Sequence, residues 1–195
     1  HYLDYYARNT PDLPCLSQGA VTSSYGEVAA MSNRLANGLI DLGVSSGQRV
    51  AILGENSLEH LLLFMAASKI GAVTVSLNYR LAPAELAFII SDADARVLVA
   101  LDGMDDTLQG LRQQIDEGIA VLSRDLPDTL PWSEWLEQYP DTAQDIEADP
   151  MEGYIQLYTS GTTGNPKGVV SSHFNMLSLV NMNSTATPYR PNPGM

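Results

Sequence analysis

Positive charge is scarce in this sequence: ten lysines and arginines stand against 23 aspartates and glutamates, a net charge of −13. A nucleic-acid interface needs clustered Lys and Arg, so that class of partner is excluded, and docking on anionic lipid is disfavoured. Cysteine is rarer still. Cys15 is alone, which rules out an internal disulfide or a multi-cysteine metal site and makes a reducing cytoplasm the expected location. His1, His60 and His173 are too scattered for a spacing such as H-E-x-x-H, so no metal ligands are assigned. Long apolar runs are also missing: Leu61 to Ala67 is far short of the roughly 20 residues of a membrane span, and no transmembrane segment is expected. The first residue is histidine and no signal-peptide pattern follows it, so the natural N-terminus is expected to lie outside the sequence.

What is present suits a globular protein. Apolar residues make up 45% of 195 positions, enough for a core in one domain or in part of a larger one. Ser24-Tyr25-Gly26-Glu27 fits a capping box, and Val28, Met31, Leu35, Leu39 and Leu42 follow at helical spacing before Gly43. A short buried strand is predicted over Arg49–Leu53, a helix over Ser57–Ile70 and a strand over Ala72–Leu77. Pro83 suits the first turn of a helix reaching about Ala93, with further strands over Arg96–Leu101 and Gly118–Ser123. Strands alternating with helices predict an α/β fold, a largely parallel sheet with flanking helices on both faces.

The chain divides into three subregions: an α/β part over 1–101, an acidic connecting region over 102–153, and a last part over 154–195. Asp102 to Glu152 holds 14 of the 23 acidic residues, dispersed as on a solvated surface rather than clustered as metal ligands, with a short helix expected around Ser133–Gln138. Two strands, Tyr154–Ser160 and Gly168–His173, then flank a loop and put it at a hairpin tip, followed by a helix over Phe174–Met182.

That loop reads TSGTTGNPKG, Thr159 to Gly168, and holds one of only two lysines in the chain. A Walker A loop is excluded, because Pro166 replaces its second glycine and Gly168 its Ser/Thr. Neither a G-x-G-x-x-G fingerprint nor a G-x-S-x-G elbow occurs there. Glycines let backbone N–H groups converge on an anion, the hydroxyls of Thr159, Ser160, Thr162 and Thr163 can donate to phosphoryl oxygens, and Lys167 adds a positive charge. Composition alone fits equally well a plain Gly/Thr hairpin with an incidental lysine.

Order and spacing go further. YTSGTTGNPKGVV, Tyr158 to Val170, closely resembles the phosphate-loop signature of the adenylate-forming (AMP-binding) superfamily. Ser24 to Leu53, Met65 to Val99 and SSHFNM, Ser171 to Met176, resemble other blocks of that family, and LNYRLAPAEL, Leu77 to Leu86, looks most like its acyl-CoA synthetases. The resemblance implies the first part of a large N-terminal AMP-binding domain in a fatty-acid–CoA ligase type of enzyme. It implies MgATP, a carboxylic acid and coenzyme A as reactants, passing through an acyl-adenylate to a thioester. Thr159, Ser160, Gly161, Thr162, Thr163, Gly164 and Lys167 would grip the β- and γ-phosphates. His173 stands where the family often has histidine, and equally suits a helix start.

The adenine-binding segment, the Mg²⁺-binding glutamate, the ribose-binding aspartate and the C-terminal domain with its catalytic lysine are expected beyond residue 195. No catalytic residue or metal ligand is therefore assigned here, and the chain alone is expected to be inactive. Two other readings stay open on sequence: a carrier-protein acyl-AMP ligase or peptide-synthetase adenylation domain, and a short non-catalytic nucleotide-binding protein.

Overall fold

Ser24 starts the longest described helix, α2 (Tyr25–Asp41), with its side chain. The Glu27 N–H donates to Ser24 Oγ (3.3 Å) and the Ser24 N–H to Glu27 Oε2 (2.8 Å), satisfying two donors that a helix start leaves open. The architecture comes from a computed structural model describing residues 2–123, 129–146, 148–159 and 165–186. Before α2 come a helix, α1 (Tyr2–Asn9), and an antiparallel hairpin of β1 (Pro14–Gln18) and β2 (Val21–Ser24). The sequence reading did not include these three elements.

After α2 the chain alternates as predicted: β3 (Arg49–Leu53), α3 (Leu58–Lys69), β4 (Val73–Leu77), α4 (Pro83–Asp92) and β5 (Ala95–Ala100). Ser57 caps α3 by accepting from the His60 N–H at 3.3 Å. Gly71 ends it at φ +69°, a left-handed turn that suits glycine. The acidic region holds the predicted strand and a helix close to the predicted one, and adds a helix and a short strand that were not expected. It forms α5 (Asp105–Arg112), β6 (Ala120–Ser123), β7 (Leu130–Pro131) and α6 (Trp132–Glu137). Side chains of α2 then strap down the segment beyond: Asn33 donates to the Asp141 carbonyl (2.8 Å), and Asn37 to those of Pro140 (2.7 Å) and Thr142 (3.0 Å). The last elements are β8 (Gly153–Thr159), β9 (Lys167–Ser172) and α7 (His173–Ala186).

Among the described residues seven strands form one sheet in the order β7-β6-β5-β3-β4-β8-β9, parallel except for β8 against β9. Alternation along β3 sends its side chains to opposite faces. Val50 and Ile52 join α2 and α3 in one core, with Leu35, Leu39 and Leu63. Ala51 and Leu53 join α4 and α5 in the other, with Leu86, Ile90, Leu108 and Leu111. Burial on both faces explains why RVAIL is apolar without alternation. Among the described residues no helix is long and apolar enough to cross a membrane.

Candidate functional site

The predicted loop is the tip of the β8–β9 hairpin. β8 lies parallel to β4 through Thr74↔Ile155 and Val75↔Gln156, while β9 returns antiparallel with Tyr158 opposite Gly168 and Thr159 opposite Lys167. The Thr159–Lys167 pair closes the loop at the carboxyl end of a parallel strand, where open α/β sheets bind their ligands. Of the predicted phosphate-binding residues, Thr159 and Lys167 are placed directly across from one another and both are exposed. Ser160, Gly161, Thr162, Thr163 and Gly164 lie outside the described residues.

A cavity of about 1020 Å³ opens beside Thr159 and Pro166. Its walls come from the segments after three neighbouring strands: Gly54 to Asn56 after β3, Asn78 and Tyr79 after β4, and Thr159 with Pro166 at the hairpin. The volume is ample for a nucleotide-sized ligand. His60 forms part of the wall. It is 5% exposed, pairs through Nε2 with Ser76 Oγ at 3.2 Å and stacks on Phe64 at 5.3 Å. Burial lowers its pKa from the ordinary value, against a pull in the other direction from the Glu55 backbone, so the ring is neutral at physiological pH.

The stacking continues away from the cavity. Phe64 stacks on Tyr154 at 6.0 Å, and the His173 ring meets Tyr154 at 5.1 Å, tilted by 60°. His173 is the first residue of α7, as a helix-start reading requires. Its backbone N–H donates to the Glu152 carbonyl at 3.1 Å, and Ser172 Oγ accepts from the Asn175 N–H at 3.2 Å. Burial lowers the His173 pKa too, with Glu152 acting against it.

The two lysines differ sharply. Lys69 is nearly buried, its side chain 7% exposed, and forms an ion pair with Asp4 that ties α1 to α3. Lys167 is exposed, and no described carboxylate pairs with it. In a chain so acidic, an exposed cation beside the cavity-lining Thr159 and Pro166, with no carboxylate partner among the described residues, has its charge available to an anionic ligand. No group of three His, Cys, Asp or Glu among the described residues is arranged to hold a metal ion.

The AMP-binding enzyme family matches residues 3–193. The chain belongs to the AMP-binding enzyme family. It is 37% identical over 153 residues to the long-chain-fatty-acid–CoA ligase FadD13 of Mycobacterium tuberculosis (strain ATCC 25618 / H37Rv), a match covering 78% of this chain and 30% of that protein. It is 33% identical over 187 residues to 3-hydroxybenzoate–CoA ligase of Aromatoleum sp. (strain CIB), covering 95% of this chain and 36% of the relative. Among solved structures it resembles the inhibitor-bound N-terminal domain of FACL13 from Mycobacterium tuberculosis, with a TM-score of 0.86, 32% identity, and coverage of 96% of this chain and 47% of that one. The chain thus spans about a third of the length of the curated relatives it matches.

Within this AMP-binding fold, sequence reading missed the residues behind the loop. Gln156 is a polar residue in the middle of an apolar strand and is 6% exposed. A buried amide inside YIQLY was the available signal, since such a group must be hydrogen-bonded.

Proposed function

We propose that the chain is the phosphate-binding, incomplete N-terminal AMP-binding domain of an ATP-dependent carboxylate–CoA ligase. The observation that carries this is the exposed Lys167 set across from Thr159 at the carboxyl end of β8, beside a cavity walled by three successive strand ends. In this reading Thr159, Ser160, Gly161, Thr162, Thr163, Gly164 and Lys167 hold the β- and γ-phosphates of ATP. A carboxylate oxygen of the acid bonds to the α-phosphorus, the bond to the bridging oxygen breaks, and pyrophosphate leaves with that electron pair. The thiol of coenzyme A then displaces AMP, forming the thioester.

Attack of one anion on another is slow unless charge is neutralised and the reactants are aligned, and fixed donors at the leaving pyrophosphate do both. Mg²⁺ would supply further neutralisation. No described residue is assigned to hold it. The matches to CoA ligases of a long-chain fatty acid and of 3-hydroxybenzoate support a carboxylic acid substrate and coenzyme A as acceptor.

Carboxylate-dependent ATP–pyrophosphate exchange tests the reading. The full-length protein is expected to catalyse it and the 195-residue chain alone is not. Lys167→Ala in the full-length protein should lower the exchange rate by about 10²-fold, the usual effect of removing one preorganised donor. Undiminished exchange in that variant removes Lys167 from the mechanism.

A further inference from the structure

The end of the hairpin that carries the loop is poorly supported by the sheet itself. β8 pairs with β4 only at Ile155 and Gln156, so Leu157 to Thr159 run past the last parallel pair. On the other side lies β9, the edge strand among the described residues, with Lys167 to Val170 all exposed. Something else must fix the stems from which the loop springs.

We propose that Arg49, Gln156, Tyr158 and Asp92 form a hydrogen-bonded brace that sets the position of the phosphate loop, and that residue 168 is glycine because the brace occupies its side-chain space. This inference rests on the phosphate reading of the loop given above. The Tyr158 hydroxyl donates to Asp92 Oδ2 at 2.6 Å, at the end of α4. Gln156 Nε2 donates to the Tyr158 hydroxyl oxygen at 3.0 Å, and Arg49 Nε donates to Gln156 Oε1 at 3.3 Å. Arg49 is itself held, its Nη1 donating to the Gly47 carbonyl at 3.0 Å. The brace thus runs from the start of β3, across β8, to the end of α4.

The hydrogen-bond directions are consistent throughout. Arg49 can only donate, so Gln156 presents its oxygen to Arg49 and its amide N–H to Tyr158. The Tyr158 oxygen then accepts from Gln156 and sends its own proton to Asp92. Burial, followed by the Asp92 carboxylate, holds the Tyr158 phenol above its ordinary range, so it stays a donor across the working pH range.

Gly168 faces this brace across the strand pair. A Cβ on it would lie 2.5 Å from Gln156 Nε2 and 2.9 Å from Tyr158 Cζ. Neither atom can give way without breaking the brace. Tyr158 and Gly168 immediately precede the Thr159–Lys167 pair that closes the loop, so a shift there is passed to both stems. Tyr158, Gln156 and Asp92 are therefore positioning residues. They hold the stems in place before ligand arrives, which lowers the ordering cost of binding.

Hydrogen–deuterium exchange of the hairpin, paired with calorimetric titration by inorganic pyrophosphate, tests this on the full-length protein. Tyr158→Phe keeps the ring over Gly168 and removes the link to Asp92. Tyr158→Phe and Asp92→Ala should each speed exchange around residues 159–168 and weaken pyrophosphate by about fivefold, the effect of one modest hydrogen bond. Asp92→Asn retains an acceptor and should restore most of both, while exchange in β3 stays unchanged in all three. Unaltered hairpin exchange and affinity in both Tyr158→Phe and Asp92→Ala overturn the brace. Faster hairpin exchange in a protein that does not bind pyrophosphate even as wild type upholds the brace and overturns the phosphate reading instead.

Discussion

β3 and β9 belong to the same sheet and are built in opposite ways. Val50, Ala51, Ile52 and Leu53 of β3 are wholly buried, between α2 and α3 on one face and α4 and α5 on the other. Among the described residues β9 has one ladder partner, its first four residues are exposed, and α7 beyond it leaves Phe174, Leu177, Leu179 and Val180 exposed as well. Among the described residues the central strands hold the core and the edge hairpin contributes little to it, while in the function proposed above the hairpin carries the ligand chemistry. An exposed strand with one partner is free to present a lysine to solvent, which a strand buried on both faces is not.

The largest expected break in this comparison is in the core. Ile52→Ala should destabilise the protein by about 2–5 kcal/mol, because the cavity left behind cannot collapse between two packed layers. Val169→Ala on β9 should stay within about 0.5 kcal/mol. Urea denaturation of the two variants measures the contrast, and equal losses would mean that the hairpin is as much a part of the core as β3.

The next effect depends on pH. His60 and His173 have lowered pKa values in the folded chain, through burial, relative to the ordinary 6.5. Their contribution to stability is complete above that value and is lost as pH falls below it, since the unfolded chain binds the protons first. Each histidine should add up to about 1.4 kcal/mol per pH unit of acid sensitivity. His60→Phe preserves the stacking on Phe64 and should remove one histidine's share of that slope, read from urea midpoints at about pH 7.5, 6.5 and 5.5. An unchanged slope would show that His60 is protonated without strain.

Smaller still is the cap of α2. Ser24→Ala should cost about 1 kcal/mol, measured by thermal denaturation, with no effect on ligand binding.

Much of this could be read in the sequence because it is local. The capping box placed α2 to the residue at its start, and the β-branched runs gave β3, β4 and β5 because strands buried on both faces need continuous apolar side chains. The loop was legible in its residue types and their order, and its place at a hairpin tip followed from the strands beside it.

What escaped depends on partners distant in sequence or on weak local signals. α1 displays three exposed tyrosines and is tied down by the pairing of Asp4 with Lys69, 65 positions away. β1 begins at a proline, β2 is polar beyond Val21, and neither strand has a fully buried residue, so no apolar alternation marks them. α5 starts after Met104, which offers no capping oxygen, and buries only Leu108 and Leu111. The brace was invisible for the same reason: Tyr158 finds Asp92 across 66 positions.

The central claim is that Lys167 serves the pyrophosphate end of a nucleotide and not the fold. Calorimetric titration of the full-length protein, wild type and Lys167→Ala, with inorganic pyrophosphate and separately with AMP tests it most directly. The account predicts that the variant loses about tenfold to a hundredfold in pyrophosphate affinity, as for one hydrogen bond to a charged group, and keeps its affinity for AMP. Unchanged pyrophosphate affinity, or an equal loss for both ligands, would contradict it.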